Sequence, residues 1–192
     1  MNNGANVYPE IIGVIGTLLG TVLGWLLSNL SQRGKLNTYP TWQDEFQHND
    51  NRGGMENSKS KEEAKLYMYH FTLDLYNSSG EPQIMRKIEV TFFHDKDELF
   101  RDTPEDDSTG RSSGPLRFYD EVLPITIPAK TVYTVKLHGG FWDSDNRFSQ
   151  IWRTNKIMLT YRDSKDREQK VLINEEDFSR YFENHPVKEE KQ

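Results

Sequence analysis

From Ile11 to Gln32 the chain runs for 22 residues without an ionisable side chain, and between Ile11 and Leu27 only Thr17 and Thr21 carry a hydroxyl. At ~1.5 Å per residue a helix of that length covers roughly 33 Å, against ~30 Å of bilayer hydrocarbon. The expectation is one transmembrane helix over 11–32, preceded by a short tail at 1–10. A secretory signal needs a basic segment ahead of its apolar core, whereas Met1–Pro9 lack Lys and Arg and Glu10 is acidic, so cleavage is not expected. Arg33 and Lys35 follow the span, and Gly34 is placed to cap its C-terminus. By the positive-inside rule the chain is a single-pass protein of the cell membrane, with its N-terminus outside and the remainder cytoplasmic.

Gly16, Gly20, Gly24 and Ser28 recur every fourth residue along this helix, with Gly13 on an adjoining line. Small residues at that spacing let two helix backbones approach closely, as in a glycine zipper. The expected partners are therefore the lipid bilayer and, through this stripe, a second copy or another span.

All 24 Lys and Arg lie beyond the span, and Glu10 is the one acid before it, which leaves the rest near −5. Basic residues interleaved with acids do not make the concentrated face that counterion release from a nucleic acid requires, so nucleic acid is not an expected partner. The absence of cysteine excludes disulfides, zinc-thiolate sites and cysteine nucleophiles.

The region 36–185 is the size of one domain with one core, and 186–192 is a polar tail. Leu36 to Trp42 reads as an opening strand that Pro40 confines to an edge. Polar stretches near 44–63 and 101–115 read as mobile loops. Tyr67, Tyr69, Phe71, Leu73 and Leu75 alternate with Met68, His70, Thr72 and Asp74, the strongest strand pattern in the chain. Further strands are expected around Ile84–Phe92, Leu116–Leu123 and Thr131–Leu137, and a hairpin joins Ile157–Tyr161 to Val171–Ile173. Asn174 is placed to cap a short helix carrying Phe178, Tyr181 and Phe182. Seven or eight short strands without alternating helices point to a mainly β fold, an antiparallel immunoglobulin-like sandwich with a short C-terminal helix, a small β-barrel being the alternative.

Three blocks, Leu73–Ile88, Ile125–Lys130 and Lys156–Tyr161, resemble a group of small uncharacterised bacterial proteins with one N-terminal membrane anchor and a C-terminal β-domain. The resemblance covers most of the chain and implies that architecture. It assigns no activity.

None of the five histidines, His48, His70, His94, His138 and His185, is spaced as a local metal pair, and no metal or cofactor is expected. Asp143, Ser144, Asp145 and Asn146 begin like a calcium loop, but Arg147 and Thr154 stand where ligands are needed. Glu105, Asp106 and Asp107 read as a solvated loop, with nothing apolar beside them to shift a pKa. No phosphate-cradling loop, nucleophile elbow or HExxH motif occurs, so no catalytic residue is named and no enzyme is expected.

The segment His138–Trp152 places Phe141, Trp142, Phe148 and Trp152 around a Gly139–Gly140 pair. It reads in two ways. Phe141, Trp142 and Arg147 can form a flexible interaction loop, or Phe148, Ile151 and Trp152 can form the apolar face of a short helix closing the sandwich. The leading functional expectation is a membrane-anchored, non-enzymatic module that binds an unknown protein or ligand. The alternative is a transmembrane effector, for instance in antiviral defence, whose β-domain senses a ligand while its glycine-rich span oligomerises and perturbs the membrane.

Overall fold

The computed structural model describes residues 8–32, 34–50, 53–114 and 116–186. Residues 1–7, Arg33 and 187–192, which hold most of both expected tails and one of the two flanking cations, lie outside the described residues. α1 (Tyr8–Gln32) is an unbroken helix, and Ile11–Leu30 within it is long and apolar enough to cross a membrane, with none of it buried against the rest of the chain. Thr17 and Thr21 return their hydroxyl protons to the carbonyls of Gly13 and Thr17, each at 2.9 Å, which satisfies polar groups that hydrocarbon cannot.

The strands that follow are β1 (Leu36–Asn49), β2 (Met55–Asn57), β3 (Leu66–Asn77), β4 (Gln83–His94), β5 (Asp97–Asp102), β6 (Glu105–Ser113), β7 (Leu116–Glu121), β8 (Ile125–Ile127), β9 (Val132–Trp142), β10 (Lys156–Arg162) and β11 (Glu168–Asn174). α2 (Asn146–Ile151) precedes β10, and a 3-10 turn at Phe178–Arg180 runs into α3 (Tyr181–Asn184). One sheet is ordered β2-β1-β3-β9-β6-β7 and the other β11-β10-β4-β5, with β8 against the start of β4. All the pairings are antiparallel, and two separate sheets make a sandwich rather than a closed barrel.

The alternation of β3 sends Tyr67, Tyr69, Phe71, Leu73 and Leu75 inward, all buried, to meet Ile88, Val90 and Phe92 of β4 and Ile157 and Leu159 of β10. Each such side chain contributes about 1.5–3 kcal/mol by leaving water. Phe178 and Tyr181 close the end of the core remote from α1, where Tyr181 meets Phe46 edge-on at 4.8 Å and donates to the Asp44 carbonyl at 2.9 Å.

Several expectations need correction. Residues 44–63 are not a single loop, because β1 runs on to Asn49 beside β3 and β2 pairs with its end. Gln43, Glu45 and Gln47 share the outward face of that strand, and one of the two inward residues between them is itself polar, so apolar alternation is hidden. That residue, Asp44, is stabilised by hydrogen bonds from Tyr67 at 3.0 Å and the Trp42 indole at 3.1 Å. Burial pushes its carboxyl above the usual range, and those two bonds oppose the rise. Most of the stretch 101–114 is strand as well: β5 ends at Asp102, and β6 pairs with β7 in a ribbon whose main-chain bonding needs no apolar face. Pro40 is placed as expected, since β2 covers only Gln47–Asn49 and leaves the earlier part of β1 as an edge. Asn174 ends β11 and is not a cap; Asp177 takes that role by accepting from the Ser179 N–H at 3.0 Å.

The joint between α1 and the sandwich is tight. The Lys35 N–H donates to Ser78 Oγ at 3.0 Å, and the Lys35 carbonyl accepts from the Ser78 hydroxyl at 2.9 Å and from its N–H at 3.0 Å. Gly34 has no left-handed backbone, so it is not the αL cap expected; a Cβ there would collide with the main chain of Ser78 and Ser79.

At the same end Asp163 organises the β10–β11 turn, accepting from the N–H groups of Lys165 and Arg167 and from the Arg167 guanidinium at 2.7–3.0 Å. Burial disfavours its charge, but these donors outweigh burial and hold the carboxyl at about 2. A depressed folded-state pKa adds stability that is complete above the unfolded value, ~3.9, and is lost as pH falls through the folded value. Asp163→Asn is expected to cost about 1 kcal/mol at pH 7 after allowing for solvent screening. Urea titrations of both proteins should converge between about pH 4 and pH 2; a difference independent of pH would contradict this account.

Candidate functional site

On the outward face of the six-stranded sheet, β3 and β9 lie in register, pairing His70 with His138, Met68 with Gly140 and Leu66 with Trp142. Gly140 leaves a trough between its larger neighbours, and glycine is required there because a Cβ would sit 2.7 Å from the Tyr67 carbonyl oxygen. The trough opens into a cleft of about 700 Å³ whose lining includes Tyr119 and Glu121 of β7 together with Trp142 and Arg147.

A polar network spanning both sheets backs this cleft. Tyr69 lies across Gly139, its partner in β9, and its hydroxyl donates at 2.5 Å to Asp102 at the end of β5. Asp102 also accepts from Arg147 Nη1 at 2.9 Å, and only 13% of its side chain is exposed. Arg147 is gripped by Asp145, which accepts from both its guanidinium and its N–H and so caps α2. The guanidinium also stacks 4.4 Å from the centre of the Phe141 ring. Burial pushes the Asp102 carboxyl up, against the hydrogen bond from Tyr69 and the charge of Arg147. Burial, then the Asp102 charge, drives the Tyr69 phenol well above its ordinary value, so it stays a donor. The hydrogen bond to Arg147 draws Asp145 below the usual carboxylate range.

Beside the trough, buried His138 is bracketed by acids. Asp107 bonds Nδ1, Glu105 lies 3.2 Å from Nε2, and Tyr119 approaches the ring edge-on at 4.3 Å. β6 pairs with β9 only at Glu105 and Asp106, so these side-chain contacts hold the β6–β7 ribbon to the sheet. Among the described residues no group of three or more His, Asp or Glu is arranged to hold a metal ion.

The expected interaction residues therefore separate. Trp142 is 49% exposed at the mouth of the cleft. Phe141, the next residue along the same strand, faces inward and is buried against Tyr67, Phe92 and Phe100, so it cannot touch a partner. Arg147 lines the cleft, but its charge is committed to Asp102 and Asp145. His138–Trp142 belong to β9 and are not a flexible loop, and Phe148 and Ile151 of α2 are buried, as the helical alternative requires. Asp102, His138, Glu105 and Asp107 were missed as neighbours. The available signal was the inward period Val135, Leu137, Gly139, Phe141, which carries β9 through the glycine pair. The arrangement presents a half-exposed indole on a strand fixed by buried hydrogen bonds.

The SPbeta prophage-derived uncharacterized protein YopI of Bacillus subtilis (strain 168) is 25% identical over 178 residues, covering 91% of this chain and 99% of that protein. A crystal structure of the ApaA protein from Bordetella pertussis aligns over 74% of this chain and 90% of its own at 10% identity, with a TM-score of 0.38. The profile of the YopI Ig-like domain matches residues 34–174, which begin just after α1 and end with β11. By that match, over most of its length and over the whole sandwich, the chain belongs to the YopI Ig-like domain family.

Proposed function

We propose that the chain is a single-pass, membrane-anchored binding module without catalytic activity, whose cytoplasmic domain takes a protein partner in the cleft beside Trp142. Trp142 carries the reading: it is half exposed on a strand whose preceding residue is buried in the core. Such an indole loses little conformational freedom on contact, and anchors of this kind dominate interface energies. Supporting the anchor is an apolar helix whose span is not buried by any of the described residues, followed by Lys35. Full-length protein is expected to sediment with membranes and to need detergent for release, and C-terminal reporter fusions should be active on the cytoplasmic side. In those membranes a photo-crosslinking residue at position 142 should give a discrete adduct that one at Lys170, on the far sheet, does not. Protein left in a detergent-free supernatant, or identical adducts from both positions, would overturn the reading.

The effector alternative has its own support. A Cβ built at Gly13, Gly16, Gly20 or Gly24 meets nothing within 4 Å, so the stripe that continues to Ser28 forms an open groove on α1. Close packing of two such grooves would give a homo-oligomer. Gly20→Ile with Gly24→Ile is expected to abolish self-crosslinking in membranes, and an unchanged signal would rule the stripe out as a contact. Toxicity on overexpression that the same pair removes would favour the effector, whereas a harmless wild-type protein would leave the binding module.

A further inference from the structure

Charge is distributed unevenly between the two ends of the sandwich. At the end where α1 enters, residues 34–35, 78–87, 128–131 and 162–168 hold seven Lys and Arg against four Asp and Glu. At the opposite end, residues 53–65, 94–97, 143–155 and 174–186 hold seven against eleven. The α1 end is thus the basic pole of a domain that is acidic as a whole.

Exposed aromatic and aliphatic side chains gather at the same pole. Tyr76 and Val132 face each other across the last outward row of β3 and β9, and Tyr39 stands on the outward row of the Asp74 pairing, one step further in. Val132 is 63% exposed, and Tyr39, Tyr76 and Tyr133 are all open to solvent. Among them stand exposed Lys35 and Lys130, whose ammonium donates to the Ser78 carbonyl at 2.6 Å. Tyrosine with lysine at one surface is the pairing that membrane–water interfaces favour, each presenting an apolar body and a polar tip.

Chain length limits how far this pole can stand from α1. Three residues, 33–35, separate α1 from β1, and extended chain covers at most about 3.6 Å per residue, so β1 starts within about 14 Å of the helix end. The headgroup layer on each side of a bilayer is itself about 5–8 Å deep. The clamp between Lys35 and Ser78 draws the last of that connection onto the sandwich.

We propose that the pole formed by Tyr39, Tyr76, Val132, Tyr133, Lys35 and Lys130 rests on the anionic lipid headgroup layer of the membrane that holds α1. This rests on the anchor reading above. It fixes the domain's orientation, with the acidic end directed away from the bilayer.

The chain contains no cysteine, so single cysteines can be introduced and labelled without background. Val22→Cys in α1, Val132→Cys at the pole and Glu183→Cys at the far end would each carry an environment-sensitive fluorophore in the full-length protein. The protein is reconstituted into phosphatidylcholine vesicles containing about one-third phosphatidylglycerol, an anionic surface of the kind that attracts basic residues beside a span. Quenching nitroxides are placed on the lipid headgroup or within the acyl chain. Position 22 should be quenched from the acyl chain, and position 132 from the headgroup at least three-fold more strongly than position 183. Acyl quenching at 22 with equal headgroup quenching at 132 and 183 would overturn the resting pole and leave the anchor intact. No acyl quenching at 22 would remove the anchor and the pole together.

Discussion

Asn77→Ala is expected to destabilise the domain by about 4 kcal/mol and lower its melting temperature by roughly 10 °C. Asn77 is fully buried at the end of β3. Its amide nitrogen lies 2.8, 3.1 and 3.0 Å from the carbonyl oxygens of Glu81, Ile127 and Pro128. Its oxygen accepts from the Ser79 N–H at 2.9 Å and the Ser79 hydroxyl at 2.7 Å. One side chain thus satisfies the β3–β4 turn and the end of β8, and truncation leaves several buried polar groups unpaired at about 1–3 kcal/mol each. Asn77→Asp has the same shape and separates chemistry from volume. It would aim one carboxylate oxygen at three carbonyls, so it should be at least as damaging as alanine. Urea unfolding of the full-length protein in detergent reads both variants. A mild Asn77→Asp would show that the site needs only to be filled.

How much of this was legible in the chain differs by element. β3 could be read because its inward residues from Tyr67 to Leu75 are all aromatic or aliphatic and its outward ones mostly polar, as one buried face dictates. The helical face of Phe148 and Ile151 was visible for the same reason at a different period. Asp44 and Asp102 broke the pattern: acids are normally outside, and it is donors from distant positions, Tyr67 for Asp44 and Tyr69 with Arg147 for Asp102, that allow these two to be inside. β6 could not be seen because one side of a ribbon exposed on both faces has no alternation to show, whereas its partner β7 falls within the strand expected at 116–123. The cluster around His138 depends on the chain leaving β5 in one sheet and entering β6 in the other, which brings Glu105 and Asp107 to a residue more than thirty positions later. No local pattern records that crossing.

Gly139→Ala should be nearly as damaging, about 3–5 kcal/mol, although it adds one methyl group to a strand that already has a good partner. In most strands that change would be favourable, since glycine weakens them. Here the new Cβ would enter the space of the Tyr69 hydroxyl and ring and approach Asp102 Oδ2 to 2.8 Å. Tyr69 has nowhere to retreat, because it is buried and stacked on Trp42 at 4.9 Å. The strain of overpacking, about 1–3 kcal/mol, therefore adds to the loss of a buried hydrogen bond to a charged group, about 1.5–3 kcal/mol. Tyr69→Phe removes the hydroxyl nearest the clash but keeps the ring, so the two changes should be less than additive, with a coupling of at least about 1 kcal/mol in a double-mutant cycle. Arg147 also holds Asp102 and flanks the cleft, so Gly139→Ala should reduce the photo-crosslinking yield at position 142 even where the protein remains folded. A Gly139→Ala protein as stable as the wild type would mean that Tyr69 does not lie across β9, and the rigid backing assigned to Trp142 would be lost with it.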